Sequence, residues 1–143
     1  MIYDRKTISE TLDIDEDFLF IESIMLESKI DKSTLVIPPN FPIESHFISQ
    51  KIIPASILLE FALQSAAFKI IISQNLTSTP IIGEVKFKIY SKTYFEENLS
   101  LINNSTIAKE FNNGVVINSE IINSKNNEKV FTGKFSYSYK IWT

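Results

Sequence analysis

Between Pro54 and Gln74 the chain carries nineteen residues, Ala55 to Ser73, with no glycine or proline and with apolar side chains almost all round. Proline fixes a helical φ and lacks an N–H that the first turn could not use, so Pro54 is expected as the first helical residue of about five turns. A helix that is apolar on every side must be buried on most of its surface, and it cannot bury itself. What surrounds it therefore decides the fold. Upstream, Phe18–Met25 is aromatic and β-branched and reads as a strand, and Ser33–Ile37 reads as a second, ended by Pro38-Pro39. Downstream, Ile81–Ile89, Asn98–Lys109, Gly114–Asn123 and Lys129–Trp142 read as four more, the last alternating Phe131, Gly133, Phe135, Tyr137 and Tyr139 against polar neighbours. Asn112-Asn113-Gly114 and Ser124–Asn127 are turn material between them. The first dozen residues are polar and mixed, with Thr11 or Asp13 as caps for a short helix around Asp13–Asp17. Asn40 to Pro54, containing Pro42 and His46, reads as a structured loop of a length that often carries function. The expectation is one α+β domain over residues 1–143, a curved antiparallel sheet wrapped around one long central helix. Such a sheet leaves an edge strand open, and pairing with a second copy removes that liability, so a homodimer is expected.

Composition narrows the chemistry. Of 143 residues, 44% are apolar and 22% charged, the balance of a globular chain. The longest unbroken apolar runs, such as Ile70-Ile71-Ile72, are far shorter than a membrane span requires, and no signal-peptide h-region follows Met1. A cytoplasmic protein with no membrane partner is the expectation. The chain has no cysteine and one histidine, which excludes disulfides, thiol catalysis and multi-histidine or cysteine metal sites within one chain. A net charge of −3 without a run of basic residues argues against nucleic acid as the main partner. Catalysis, if any, falls to carboxylates, hydroxyls, amides or one imidazole, without a metal.

On the greasy helix, Ser56, Glu60 and Gln64 recur every four residues and form one polar line, each about 40° round from the last. Lys69 lies off that line near the carboxyl end, where a cation suits the helix dipole. A lone carboxylate on an apolar helix is expected to have a raised pKa, which would make Glu60 a general acid; facing solvent or pairing with a lysine is the other reading. His46, in the loop before the helix, is open in the same way between a solvated or packing residue and a base. The helix start adds free backbone N–H groups near Ala55 and Ser56, suited to a carbonyl oxygen that gains negative charge.

The stretch His46-Phe47-Ile48-Ser49-Gln50-Lys51-Ile52-Ile53-Pro54-Ala55, continuing to Glu60 and Gln64, resembles the signature of the 3-hydroxyacyl-[acyl-carrier-protein] dehydratases. That pattern is His-Phe-Pro-Gly-x-Pro, two aliphatics, Pro-Gly, about three aliphatics, Glu, then Gln. The spacings of fourteen from His46 to Glu60 and four from Glu60 to Gln64 match without a gap. Phe18–Ile24 and Gly83–Lys88 resemble the family's flanking strands more weakly. The resemblance implies a hotdog fold and a homodimer whose sites draw histidine and glutamate from different protomers; assembly of dimers into hexamers stays open. It implies His46 as the base removing an α-proton and Glu60 as the acid protonating the departing hydroxyl. The Ala55 N–H would hold the thioester carbonyl, with Ser56 beside it, and Gln64 would orient Glu60. It further implies no metal or redox cofactor, and a substrate delivered on the phosphopantetheine of an acyl carrier protein. Ile48 and Lys51 replace prolines of the pattern, and Ser49 and Ala55 replace glycines. The departures imply a divergent member serving a specialised acyl or polyketide-like pathway. An acyl thioesterase, with a helix carboxylate activating water, and a non-catalytic acyl-binding subunit are the alternatives.

Overall fold

The computed structural model describes residues 1–27, 29–39, 41, 52–94 and 99–139. His46, Phe47, Ile48, Ser49 and Lys51 lie outside the described residues, as does most of the expected loop. In chain order the elements are β1 (Ile2–Asp4), α1 (Arg5–Leu12), a 3-10 turn (Glu16–Phe18), β2 (Ile21–Leu26) and β3 (Asp31–Leu35). Then come α2 (Ala55–Gln74), β4 (Ile81–Ile89), β5 (Leu101–Phe111), β6 (Gly114–Asn123) and β7 (Glu128–Ser138). The seven strands form one sheet in the order β1-β2-β3-β5-β6-β7-β4, with every neighbouring pair antiparallel.

The amino terminus differs from expectation. Asp4, not Thr11 or Asp13, caps the first helix by accepting the Thr7 N–H at 2.9 Å, and Asp13 is instead the left-handed residue that ends it. The expected helix at Asp13–Asp17 is only the short 3-10 turn, whose start Asp15 caps by accepting the Asp17 N–H. Arg5 fastens this region. Its guanidinium donates to the carbonyls of Leu19 and Ile21 at 2.8 Å and to that of Glu16, tying α1 to the entry of β2.

Helix α2 runs one residue beyond the expected end, and Pro54 is its N-cap rather than its first residue. Asn75 closes it in the left-handed conformation, its N–H reaching Ile71 and Ile72. The helix is long and apolar enough to meet the composition of a membrane span, with mean hydropathy 1.6, which its short apolar runs do not suggest. Two-thirds of that stretch is buried against the sheet, where Phe61, Ala62, Ala66, Phe68 and Ile70 have no exposed surface. Ile117, Ile121, Phe131 and Phe135 meet the helix from β6 and β7 in the same core.

Lys69 is not a solvated end-of-helix cation. It is buried and its ammonium lies 2.8 Å from Asp31 at the start of β3. Next to this pair the inward positions of β3, β5 and β6 are polar: Ser33, Asn103, Ser105 and Ser119 are all buried. Asn103 donates to Ser105 at 2.8 Å and accepts from Ser119, so these side chains satisfy one another. At the other side of the sheet, β4 is an edge strand that leaves Ile81, Ile82 and Phe87 exposed.

Candidate functional site

The polar line on α2 opens onto a cavity of about 400 Å³. Ser56, Glu60 and Gln64 form its polar wall, and Ile14, Phe18, Phe20, Phe41 and Ile57 make the rest apolar. The aromatic floor is braced, since Phe20 and Phe41 meet edge to face with centroids 5.0 Å apart. A pocket that is mostly apolar with a few convergent polar groups is the form that binds an organic ligand.

Gln64 is the pivot of this wall. It is buried, and its Oε1 accepts the Phe20 N–H at 2.9 Å while its Nε2 donates to the Phe18 carbonyl at 2.9 Å. Those two backbone partners fix which way the amide faces. The same Nε2 donates to Glu60 Oε1 at 3.1 Å, so the carboxylate one turn earlier is held from a side chain that cannot rotate. Glu60 itself is exposed in the single chain. Behind the wall, the Tyr137 hydroxyl donates to the Leu63 carbonyl at 2.9 Å. Burial pushes its pKa well above the ordinary tyrosine value, and the negative charge of Glu60 adds to the effect. Tyr137 is thus a structural donor close to the carboxylate.

At the cavity's other end the helix begins without a side-chain cap. The first helical bonds run from Ile57 and Leu58 to the Pro54 carbonyl, so the N–H groups of Ala55 and Ser56 have no acceptor within the helix. Both residues are exposed, and Ser56 faces the cavity. The arrangement brings together Ser56, Glu60, Gln64 and the helix start that carries Ala55. His46 lies outside the described residues, so its relation to Glu60 rests on spacing alone. Among the described residues no cluster of His, Asp and Glu could hold a metal ion. Sequence reasoning missed the apolar floor, because Phe18 and Phe20 read only as strand residues and Phe41 as loop. It also missed Tyr137, whose one signal was its inward place in the alternation of β7.

No protein-family model and no curated protein sequence matches the chain. Solved structures do. A hypothetical thioesterase from Streptococcus pneumoniae TIGR4, determined with coenzyme A, is 12% identical, with 82% of this chain and 84% of that one superposed at a TM-score of 0.65. Zebrafish thioesterase superfamily member 2 is 8% identical, with 95% of each chain covered and a TM-score of 0.74. The Escherichia coli PaaI protein of the phenylacetic acid degradation operon is 12% identical over 94% of this chain and 88% of that one, at a TM-score of 0.64. At such identities the likeness concerns architecture: one long helix wrapped by an antiparallel sheet, in this chain as in those, is the hotdog fold.

Proposed function

We propose that this protein hydrolyses acyl thioesters, with Glu60 as the general base. The observation that carries the reading is a carboxylate held by Gln64 on the wall of an apolar cavity, one turn in from uncapped helix N–H groups. The acyl chain would occupy the cavity lined by Phe18, Phe20 and Phe41. The Glu60 carboxylate takes a proton from a water molecule as the water oxygen attacks the thioester carbonyl carbon. The N–H groups of Ala55 and Ser56 accept the negative charge that develops on the carbonyl oxygen. Collapse of the tetrahedral species breaks the carbon–sulfur bond, and the leaving thiolate takes up the proton, giving a free acid and a thiol. The thioesterases among the structures of like fold, one of them determined with coenzyme A, support this choice.

A second reading has one specific observation in its favour, the fourteen-residue spacing from His46 to Glu60. In that reading His46 removes the α-proton of a 3-hydroxyacyl thioester, Glu60 protonates the departing hydroxyl, and an enoyl thioester and water form. Either activity would work in a homodimer, for which the open edge at β4 is the supporting feature. One assay separates the two. With 3-hydroxyacyl and saturated acyl thioesters of N-acetylcysteamine, hydrolysis releases free thiol from both, whereas dehydration gives an enoyl product from the first with its thioester intact. Glu60→Gln keeps the shape and removes the transferable proton site, and turnover is expected to fall by at least about a hundredfold. Unchanged thiol release in that variant would overturn the assignment of Glu60.

A further inference from the structure

Free hydrogen-bond donors in the candidate cavity are confined to one end of it. Ser56 and Gln64, the two ends of the polar line, are separated by about 12 Å along the axis of α2. At the Ser56 end the N–H groups of Ala55 and Ser56 have no acceptor within the helix, and the Ser56 hydroxyl adds a third donor. At the Gln64 end every donor on the described lining residues is committed. The two protons of Gln64 Nε2 go to the Phe18 carbonyl and to Glu60, while its Oε1 accepts the Phe20 N–H. The Phe18 N–H donates to the Asp15 carbonyl at 2.9 Å, that of Ile14 to Ser9 at 3.1 Å and that of Phe41 to Pro38 at 3.0 Å.

Charge is arranged in the same sense. Among the described residues that line the cavity none is cationic, and the single charged group is the Glu60 carboxylate. Arg5, the cation fastened to this segment, directs its guanidinium to the carbonyls of Leu19, Ile21 and Glu16 and does not line the cavity. The 3-10 turn that carries Phe18 presents exposed Asp15, Glu16 and Asp17 instead. A carboxylate brought to the Gln64 end would give up its water and meet neither a free donor nor a cation, only the Phe20–Phe41 aromatic pair. A carbonyl at the Ser56 end meets free N–H groups. The cavity is polar at one end and suited to hydrocarbon at the other, and this fixes the direction in which an acyl thioester enters.

We infer that the cavity selects acyl groups of medium length whose far end is plain hydrocarbon, and that Phe18, Phe20, Phe41 and the committed Gln64 amide refuse a chain that ends in a carboxylate. The inference rests on the thioester reading above and adds the acyl group to it. An extended chain advances about 1.2 Å per bond, so about ten bonds carry it from a carbonyl at the helix start to the level of Gln64. There the backbone of Phe18 and Phe20, pinned by the Gln64 side chain, closes the polar line. The selectivity comes from what this end withholds, since the amide that could have received an anion is used up in holding the chain and Glu60.

The test is steady-state turnover of N-acetylcysteamine thioesters by the whole protein. The kcat/KM for nonanoyl is expected to exceed that for suberoyl, a chain of like length ending in a carboxylate, by at least about a hundredfold. It should rise with chain length to about ten carbons and fall beyond. Phe18→Lys sets an ammonium at the Gln64 end, on a residue 60% exposed whose exchange disturbs little packing. It should narrow the nonanoyl-to-suberoyl ratio by at least about tenfold. A ratio near one in the parent, a ratio unmoved by Phe18→Lys, or a kcat/KM still rising at tetradecanoyl would overturn the inference. Binding separates its failure from that of the hydrolase. Ketone analogues, in which a methylene replaces the thioester sulfur, cannot be hydrolysed, and calorimetric titration should find the nonanoyl ketone bound more tightly than the suberoyl ketone. That order of binding without turnover of any thioester sinks the hydrolase alone, whereas equal turnover of nonanoyl and suberoyl thioesters sinks the selectivity alone.

Discussion

Lys69→Met is the substitution whose cost the structure lets one work out with a sign and a pH dependence. Methionine matches the lysine stem in length, so the change removes a charge and little volume. What it removes is an ammonium 2.8 Å from Asp31, both side chains being less than a tenth exposed. At an effective dielectric near 20 that contact is an attraction of about 6 kcal/mol. Burial nonetheless outweighs it, for the Asp31 carboxyl is held above its ordinary value, the loss of hydration being the larger effect and Lys69 opposing it. Without Lys69 the carboxylate keeps only the backbone hydrogen bond at Glu27 to offset its burial, and it takes up a proton instead. At pH 7, protonating a group whose unfolded pKa is about 3.9 costs about 1.36 × 3.1, or roughly 4 kcal/mol, and this caps the damage. At pH 5 the same product is about 1.5 kcal/mol.

The direction follows from linkage. A carboxyl raised in the folded state contributes stability that is whole below the unfolded pKa and is lost as pH rises through the folded pKa. Lys69→Met moves the folded pKa further up and so enlarges that loss. Urea unfolding at pH 7 should therefore show the variant less stable by about 3–4 kcal/mol, with the gap closing to 1.5 kcal/mol or less at about pH 5 and the m-value unchanged. Asp31→Asn should be the milder change, under about 1 kcal/mol at pH 7, because burial already works against the charge that it removes. An equal deficit for Lys69→Met at both pH values would refute the reasoning. So would an Asp31→Asn variant as unstable as Lys69→Met at pH 7, which would make the pair net attractive.

Three further outcomes are expected. Gln64→Leu strands the buried Phe20 N–H and frees Glu60, so it should cost about 2–3 kcal/mol in unfolding and lower kcat as well; loss of stability with kcat untouched would deny Gln64 its part in holding the carboxylate. His46→Ala should leave thioester hydrolysis within a few-fold of the parent and abolish any dehydration, and hydrolysis that vanishes in this variant would mean that the histidine is the base. Light scattering at micromolar concentration should give a dimer of 16.4 kDa chains, and Phe87→Glu on the exposed face of β4 should shift it to monomer; a dimer indifferent to that change would have its interface elsewhere.

The elements that sequence reading placed well are those whose backbone groups are satisfied by regular neighbours. Helix α2 and strands β4 and β6 have strong local periodicity, so their bounds fall within about one residue of expectation. The entry to β2 is the contrary case. Phe18 to Phe20 have strand propensity, yet the strand begins only at Ile21, because the Phe20 N–H and the Phe18 carbonyl are taken by the Gln64 amide and the Leu19 carbonyl by Arg5. Those side chains lie forty-odd and fourteen residues away in sequence, and no local window contains them. Strand β3 was placed two residues late for a different reason. Its inward residues are Asp31 and Ser33, polar where a strand template asks for apolar, and their partners are Lys69, Asn103 and Ser105 on two other elements. Lys88 and Lys129, whose ammoniums both lie over the Tyr90 ring, belong to the same class, being neighbours only once β4 and β7 pair. Spacing along one helix is enough to find a carboxylate and the amide that holds it, because both lie on one face. The groups that give that carboxylate its apolar floor come from segments whose meeting depends on the fold itself. That is why the helix line is visible in the sequence, while the aromatic cavity beside it appears only once the sheet has closed around the helix.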